Sequence, residues 1–204
     1  SLGRYAVEES HYYFKQAFDL LNSKPDRTED EDALLIGFLI KWSLVYYYRG
    51  DFREQHNLLS AHQGIAESLA YQSQLGMFYA WYGFCLNCRD KNQDAYEYLH
   101  KALEIGKKAK DQKIIGYACT WLSWTCSDLG KLDEAILYGK KAQEIYNLIP
   151  SDHYLFFKSL AGIGSAYSRM GDMKKALEAG SALLDYGERY SNIRSIVMGQ
   201  HIIG

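Results

Sequence analysis

Leu129-Gly130-Lys131-Leu132-Asp133-Glu134-Ala135 reads as a tight turn between two amphipathic helices, and the same turn recurs along the chain. Its other copies are Arg49-Gly50-Asp51-Phe52, Arg89-Asp90-Lys91-Asn92 and Met170-Gly171-Asp172-Met173. At the turn residue they fall at positions 50, 90, 130 and 171, a period of 40, 40 and 41 residues. Repetition at such an interval marks stacked helical hairpins, where each unit leaves an apolar face that only its neighbour can cover. The expected fold is all-α, a right-handed superhelical α-solenoid of helix–turn–helix repeats.

Working outward from the turns, the apolar periodicity divides the chain into one array. A half-repeat spans 5–22, full repeats span about 33–69, 74–109, 112–148 and 152–189, and a truncated helix occupies 193–204. Between the half-repeat and the first full repeat, Ser23 to Asp32 holds Pro25 and an acidic cluster and reads as a solvated loop. A chain that opens and closes inside repeat units is expected to be a segment of something longer.

Small residues explain how the hairpins close. Ser43, Gly83, Ser123 and Gly164 lie twelve positions before Gln55, Ala95, Ala135 and Ala176. These are the places where the two helices of a unit should come nearest, and a bulky side chain would hold them apart. Ala102 and Ala142 repeat the small position seven residues on, whereas Gln55, His62 and Leu183 break the pattern. Less regular packing is expected there.

The small–x₁₁–small signature around a Gly-Asp or Gly-Lys turn resembles the tetratricopeptide repeat. It is plainest in Gly83…Ala95…Ala102, Ser123…Gly130…Ala135…Ala142 and Gly164…Gly171…Ala176. That family's common unit has about 34 residues, so each helix here would be longer by up to a turn. The segment Tyr96 to Gly106 is similar to the long-repeat arrays at the C-terminal end of bacterial signal-transduction ATPases and adenylate cyclase-like regulators. The resemblance implies a cytoplasmic protein-interaction or regulatory module, without catalysis of its own.

Composition agrees with a non-catalytic, water-exposed scaffold. The 204 residues are 48% hydrophobic with a net charge of −2, which supplies a core but no electrostatic case for nucleic acid or an anionic membrane. The longest apolar run, Ala33 to Ile40, is too short to span a bilayer. No Gly-x₄-Gly-Lys-Ser/Thr, Gly-x-Ser-x-Gly or His-Glu-x-x-His occurs, and Gly162-Ile163-Gly164 lacks a third glycine. No cofactor is expected.

Other chemical signals are weak. Cys85-Leu86-Asn87-Cys88 has a spacing that zinc and redox sites use, and Cys119 and Cys126 fall on the next first helix. A four-thiolate site is conceivable, but Cys119 and Cys126 align with Tyr79 and Leu86, so small buried cysteines are the simpler reading. Glu8-x-x-His11 and Glu97-x-x-His100 share the di-iron pairing but lie two repeats apart, and read as surface residues. Lys101, Lys107, Lys108, Lys110 and Lys113, interspersed with acids, read as a solvated convex face.

The concave groove remains, where first helices stand side by side. Counting from the small residue brings together Lys41, Tyr47, Tyr48, Trp81, Phe84, Asn87, Tyr117, Trp121, Trp124, Ser127, Asp128, Lys158 and Arg169 as candidate ligand contacts. Large aromatics mixed with hydrogen-bonding groups suit an extended peptide or an amphipathic helix. The alternative for Trp81, Trp121 and Trp124 is packing between helices. Relatives that bind chaperones clamp a carboxylate with a lysine three before the small residue. Here those positions are Ile40, Ala80, Thr120 and Ala161, so that clamp is not expected.

The reading is a module that docks a peptide, a partner protein or a neighbouring domain of a longer parent. Two other classes stay open: self-assembly into homodimers through exposed repeat ends, and a metal or small-molecule sensor built on Cys85, Cys88, Cys119 and Cys126.

Overall fold

The computed structural model describes the backbone of residues 2–150 and 152–204, with side chains from Ala6 onward. Ten helices follow one another among the described residues: α1 (Leu2–Asn22), α2 (Glu29–Arg49), α3 (Phe52–Ser68), α4 (Gln72–Asn87), α5 (Asn92–Ala109), α6 (Gln112–Asp128), α7 (Leu132–Leu148), α8 (His153–Met170), α9 (Met173–Arg189) and α10 (Ile193–Ile203). The even-numbered helices α2 to α10 each pack on the next even one, while the backbones of α3, α5, α7 and α9 stand farther apart, with α3–α5 and α5–α7 bridged only by side chains such as Gln63 with Tyr98 and Tyr96 with Glu134 among the described residues. A stack that is close on one side and splayed on the other must curve. The result is an all-α, right-handed superhelical solenoid with the even helices lining its axis.

The turns behave as their chemistry demands. Gly50, Gly130 and Gly171 have φ of 76°, 74° and 77°, the left-handed region where glycine carries no Cβ penalty. Asp90 makes the same turn at φ 59° without that freedom. Downstream of Gly50 and Gly171, Asp51 and Asp172 accept hydrogen bonds from the backbone N–H of Glu54 and Lys175, so the Gly-Asp pair ends one helix and caps the next.

One boundary differs from expectation. Helix α2 begins at Glu29, so Glu29 to Asp32, the last four residues of the stretch read as loop, are helical. Thr28 is its N-cap: its hydroxyl accepts from Glu31 N–H at 3.3 Å, and the Glu31 carboxylate accepts from Thr28 N–H at 3.0 Å. This capping box places Glu29, Asp30, Glu31 and Asp32 at the positive end of the helix dipole, where acids stabilise the first turn.

Helix crossings fall at the small positions. A Cβ on Gly83 would lie 2.6 Å from Leu99 Cγ and 3.2 Å from the Ala95 carbonyl oxygen. The irregular positions are filled rather than loose. Buried Gln55 donates to the Ser43 carbonyl at 3.4 Å, and His62 packs edge-on against Phe18 while contacting the Leu58 carbonyl and the Asn22 side chain. His11 also departs from the surface reading, because it lies between Arg49 (3.0 Å) and the Trp42 indole nitrogen (3.2 Å).

Candidate functional site

Side chains fill the superhelical axis. Tyr154, on α8, is the hub: its ring centroid lies 5.1 Å from Tyr47 of α2, 5.9 Å from Trp81 of α4, and 5.4 Å and 6.1 Å from Tyr117 and Trp121 of α6. Phe84 joins through Trp121 at 3.9 Å. Tyr47, Trp81, Phe84, Tyr117, Trp121 and Tyr154 are all buried, so these aromatics spend their faces on one another. Tyr154 is not among the residues expected from the sequence. Its signal was a break in pattern, because the equivalent residues are Ala33, Ser73 and Lys113.

A second group ties repeats together at the rim. Asn87 donates to one carboxylate oxygen of Asp128 at 2.9 Å, and Arg169 donates to the other at 2.8 Å. Arg169 also donates to the carbonyl of buried Ser127 at 2.8 Å. These residues hold two adjacent registers in three successive repeats, Asn87 with Ser127 and Asp128 with Arg169, which accounts for separations of 41 and 42 residues. Lys41 and Tyr48 are exposed and Trp124 is half-buried, its indole nitrogen donating to the Lys158 carbonyl at 3.0 Å.

Arg194 joins the two ends of the array. From the first turn of α10 it donates to the carbonyls of Tyr47 at 3.0 Å and Tyr48 at 2.8 Å, and its guanidinium carbon lies 4.6 Å from the centre of the Tyr47 ring. Carbonyls at a helix C-terminus lack intrahelical partners and attract cations, so a residue 146 positions away helps cap α2. No sequence signal marks it.

Lys158 is the one group here whose chemistry is unusual. Only 5% of it is exposed, and its Nζ lies 4.3 Å from the Trp124 ring centre, 4.7 Å from Trp121 and 5.6 Å from Tyr47. Among the described residues it has no carboxylate or hydrogen-bond partner. Burial lowers its pKa from 10.5 to about 7, with Cys88 opposing the shift and the Arg194 charge adding to it. Nearby, Tyr154 Oη and Trp121 Nε1 are buried without partners.

Clefts stay open around this filled axis. A cleft of about 900 Å³ separates α1 and the end of α2 from α10, and includes Glu8, Tyr48, Arg49 and Arg194. Another, of about 540 Å³, opens at the starts of α4 and α6 among Lys41, Gln74, Trp81, Lys113 and Tyr117. Lys113 therefore faces the inner side, unlike the convex placement expected of it. A third, of about 560 Å³, lies between α6, α8 and α10.

The cysteines do not assemble a site. Cys85, Cys119 and Cys126 are buried and Cys88 is exposed. Burial raises the Cys85 thiol pKa and pushes Cys119 and Cys126 up to about 12, so these three stay protonated thiols at neutral pH. No cluster of three or more His, Cys, Asp or Glu able to hold a metal occurs among the described residues. None of the described helices is long and apolar enough to cross a membrane.

Comparison with known proteins matches residues 116–147 to the tetratricopeptide repeat. The array is tetratricopeptide-like. It superposes on a signal transduction ATPase with numerous domains from Pyrococcus horikoshii, which has a tetratricopeptide repeat sensor, with a TM-score of 0.71 at 17% identity over 96% of this chain and 30% of that one. Against aspartyl phosphate phosphatase F of Bacillus subtilis the TM-score is 0.68 at 19% identity, over 98% of this chain and 52% of the other. Against apo RapI it is 0.62 at 20% identity, over 91% and 50%. This tetratricopeptide-like chain thus spans about half the length of RapI and of the phosphatase, and under a third of the ATPase. No curated protein sequence matches it.

Proposed function

We propose that the array is a protein-interaction scaffold that docks its partner at the open clefts flanking the filled axis. The observation that carries this reading is the division of labour among the candidate residues. Tyr47, Trp81, Phe84, Tyr117 and Trp121 are packed into the axis, whereas Lys41, Tyr48 and Trp124 present charge and aromatic surface at cleft mouths. Aromatic and basic side chains beside a rigid cleft are the anchors on which interface energy concentrates. The Pyrococcus horikoshii ATPase carries its repeats as a sensor, and a regulatory use within a longer parent is proposed for this chain too.

A pulldown with the array as bait tests the reading. A partner lost with Lys41→Glu plus Tyr48→Ala, yet kept by a Lys107→Ala control on α5, supports cleft docking. A partner that survives the double substitution refutes docking at those two clefts. If the partner is a neighbouring domain, deleting the repeats from the parent changes its basal activity, and unchanged activity removes that version.

A further inference from the structure

The cleft between α6, α8 and α10 holds a buried cation with nothing to neutralise it. Its lining includes Trp124, Lys158, Arg169, Val197, Met198 and Ile202 and contains no carboxylate. Arg169 is already paired with Asp128 and bonded to the Ser127 carbonyl. The Lys158 ammonium lies against aromatic faces, with the Cys88 thiol and the Arg194 charge also near it, whereas a buried charge ordinarily carries a counter-charge or hydrogen bonds. The rest of the lining is chiefly apolar, with two serine hydroxyls.

From this arrangement we infer that the cleft binds a small amphiphilic carboxylate, its anionic end held by Lys158 and its apolar body lying on Trp124, Val197, Met198 and Ile202. One uncompensated cation matches a monoanion, whereas a phosphate dianion calls for more positive charge than the Arg169–Asp128 pair leaves free. The cleft's size of about 560 Å³ falls in the range of small-molecule sites. A threaded peptide fits less well, because the aromatic cluster around Tyr154 fills the axis beyond Lys158 and Arg194 joins its two sides. The site differs from a chaperone-type clamp and is independent of protein docking at the other clefts.

Binding of a carboxylate holds Lys158 in its ammonium form, so affinity falls as pH rises above neutrality. The charged or titratable groups close to it are Tyr47 on α2, Cys88 at the end of α4 and Arg194 on α10, while Arg169, paired with Asp128, and His201 line the same cleft. His201 lines the same cleft and needs its own control.

The test is a tryptophan-fluorescence titration with octanoate and with octanamide, which has the same chain without the charge. At pH 6.5 octanoate should bind about ten- to a hundredfold more tightly, the range expected of a charge-assisted contact. The preference should vanish in Lys158→Met, shrink at pH 9 in the natural protein, and persist in His201→Asn. Thermal melts check that each variant is folded. Equal affinity for the two probes, no saturable binding, or a preference that survives Lys158→Met overturns the assignment. Tighter, Lys158-dependent binding of acetyl-dileucine with a free C-terminus gives the cleft to a peptide end and also overturns it.

Discussion

Replacing Lys158 by Met should flatten a pH dependence of stability that the natural protein shows between pH 6 and 9. In the folded chain this amine loses its proton near pH 7, whereas in the unfolded chain it keeps it to about 10.5. Across that window the unfolded state holds more protons, so stability rises with pH. This is the opposite of a lysine stabilised by an ion pair. Integrating over the two states from pH 6 to pH 9 gives a rise of about 2.5 kcal/mol from this one group. Met fills much the same volume without a charge, so the variant loses that rise and is more stable than the parent at pH 6. Urea unfolding of both proteins at pH 6, 7, 8 and 9 measures the difference directly, with contributions from all other groups cancelling. A difference that stays constant with pH would mean that Lys158 titrates as an ordinary exposed lysine, and the account of its burial would fall.

Three further substitutions probe the turns, the cap and the contact between the ends. Gly130→Ala meets no atom within 4 Å, so its cost comes purely from φ of 74° and should be about 1–2 kcal/mol in urea unfolding. A neutral effect would refute the turn argument. Thr28→Ala removes the capping box of α2 and should cost about 1 kcal/mol, with faster amide exchange confined to the first turn of that helix. Arg194→Ala removes a charge that depresses the Lys158 pKa and frees the end of α2. The pH midpoint seen in the comparison with Lys158→Met should therefore move up, and a midpoint that stays or falls contradicts the contact.

The candidate site was legible by residue but not by role. Tyr47, Trp81, Phe84, Tyr117, Trp121 and Lys158, named by counting from the small position, lie in one region, because a fixed repeat places equivalent residues on one side of the stack. Whether that region was an open groove or a filled axis was not legible. It depends on superhelical pitch, and a few degrees of rotation per repeat decide whether α8 and α10 swing back toward α2. Thr28-x-x-Glu31 was a readable cap, obscured by the acidic composition around it.

Local chemistry in the chain determined the period, the hairpin turns and the crossing points. Glycines at 50, 130 and 171 adopt the left-handed conformation their turns need, and Gly83 sits where a Cβ has no room. These are short-range effects, settled within a few residues or across one hairpin. Tertiary structure alone decided that Tyr154 would be a hub, that Arg194 would cap a helix 146 residues away, and that Lys158 would be buried without a counter-charge. Those outcomes rest on distances accumulated over four stacked repeats, and charge and burial at such a point are set by everything that surrounds it in space.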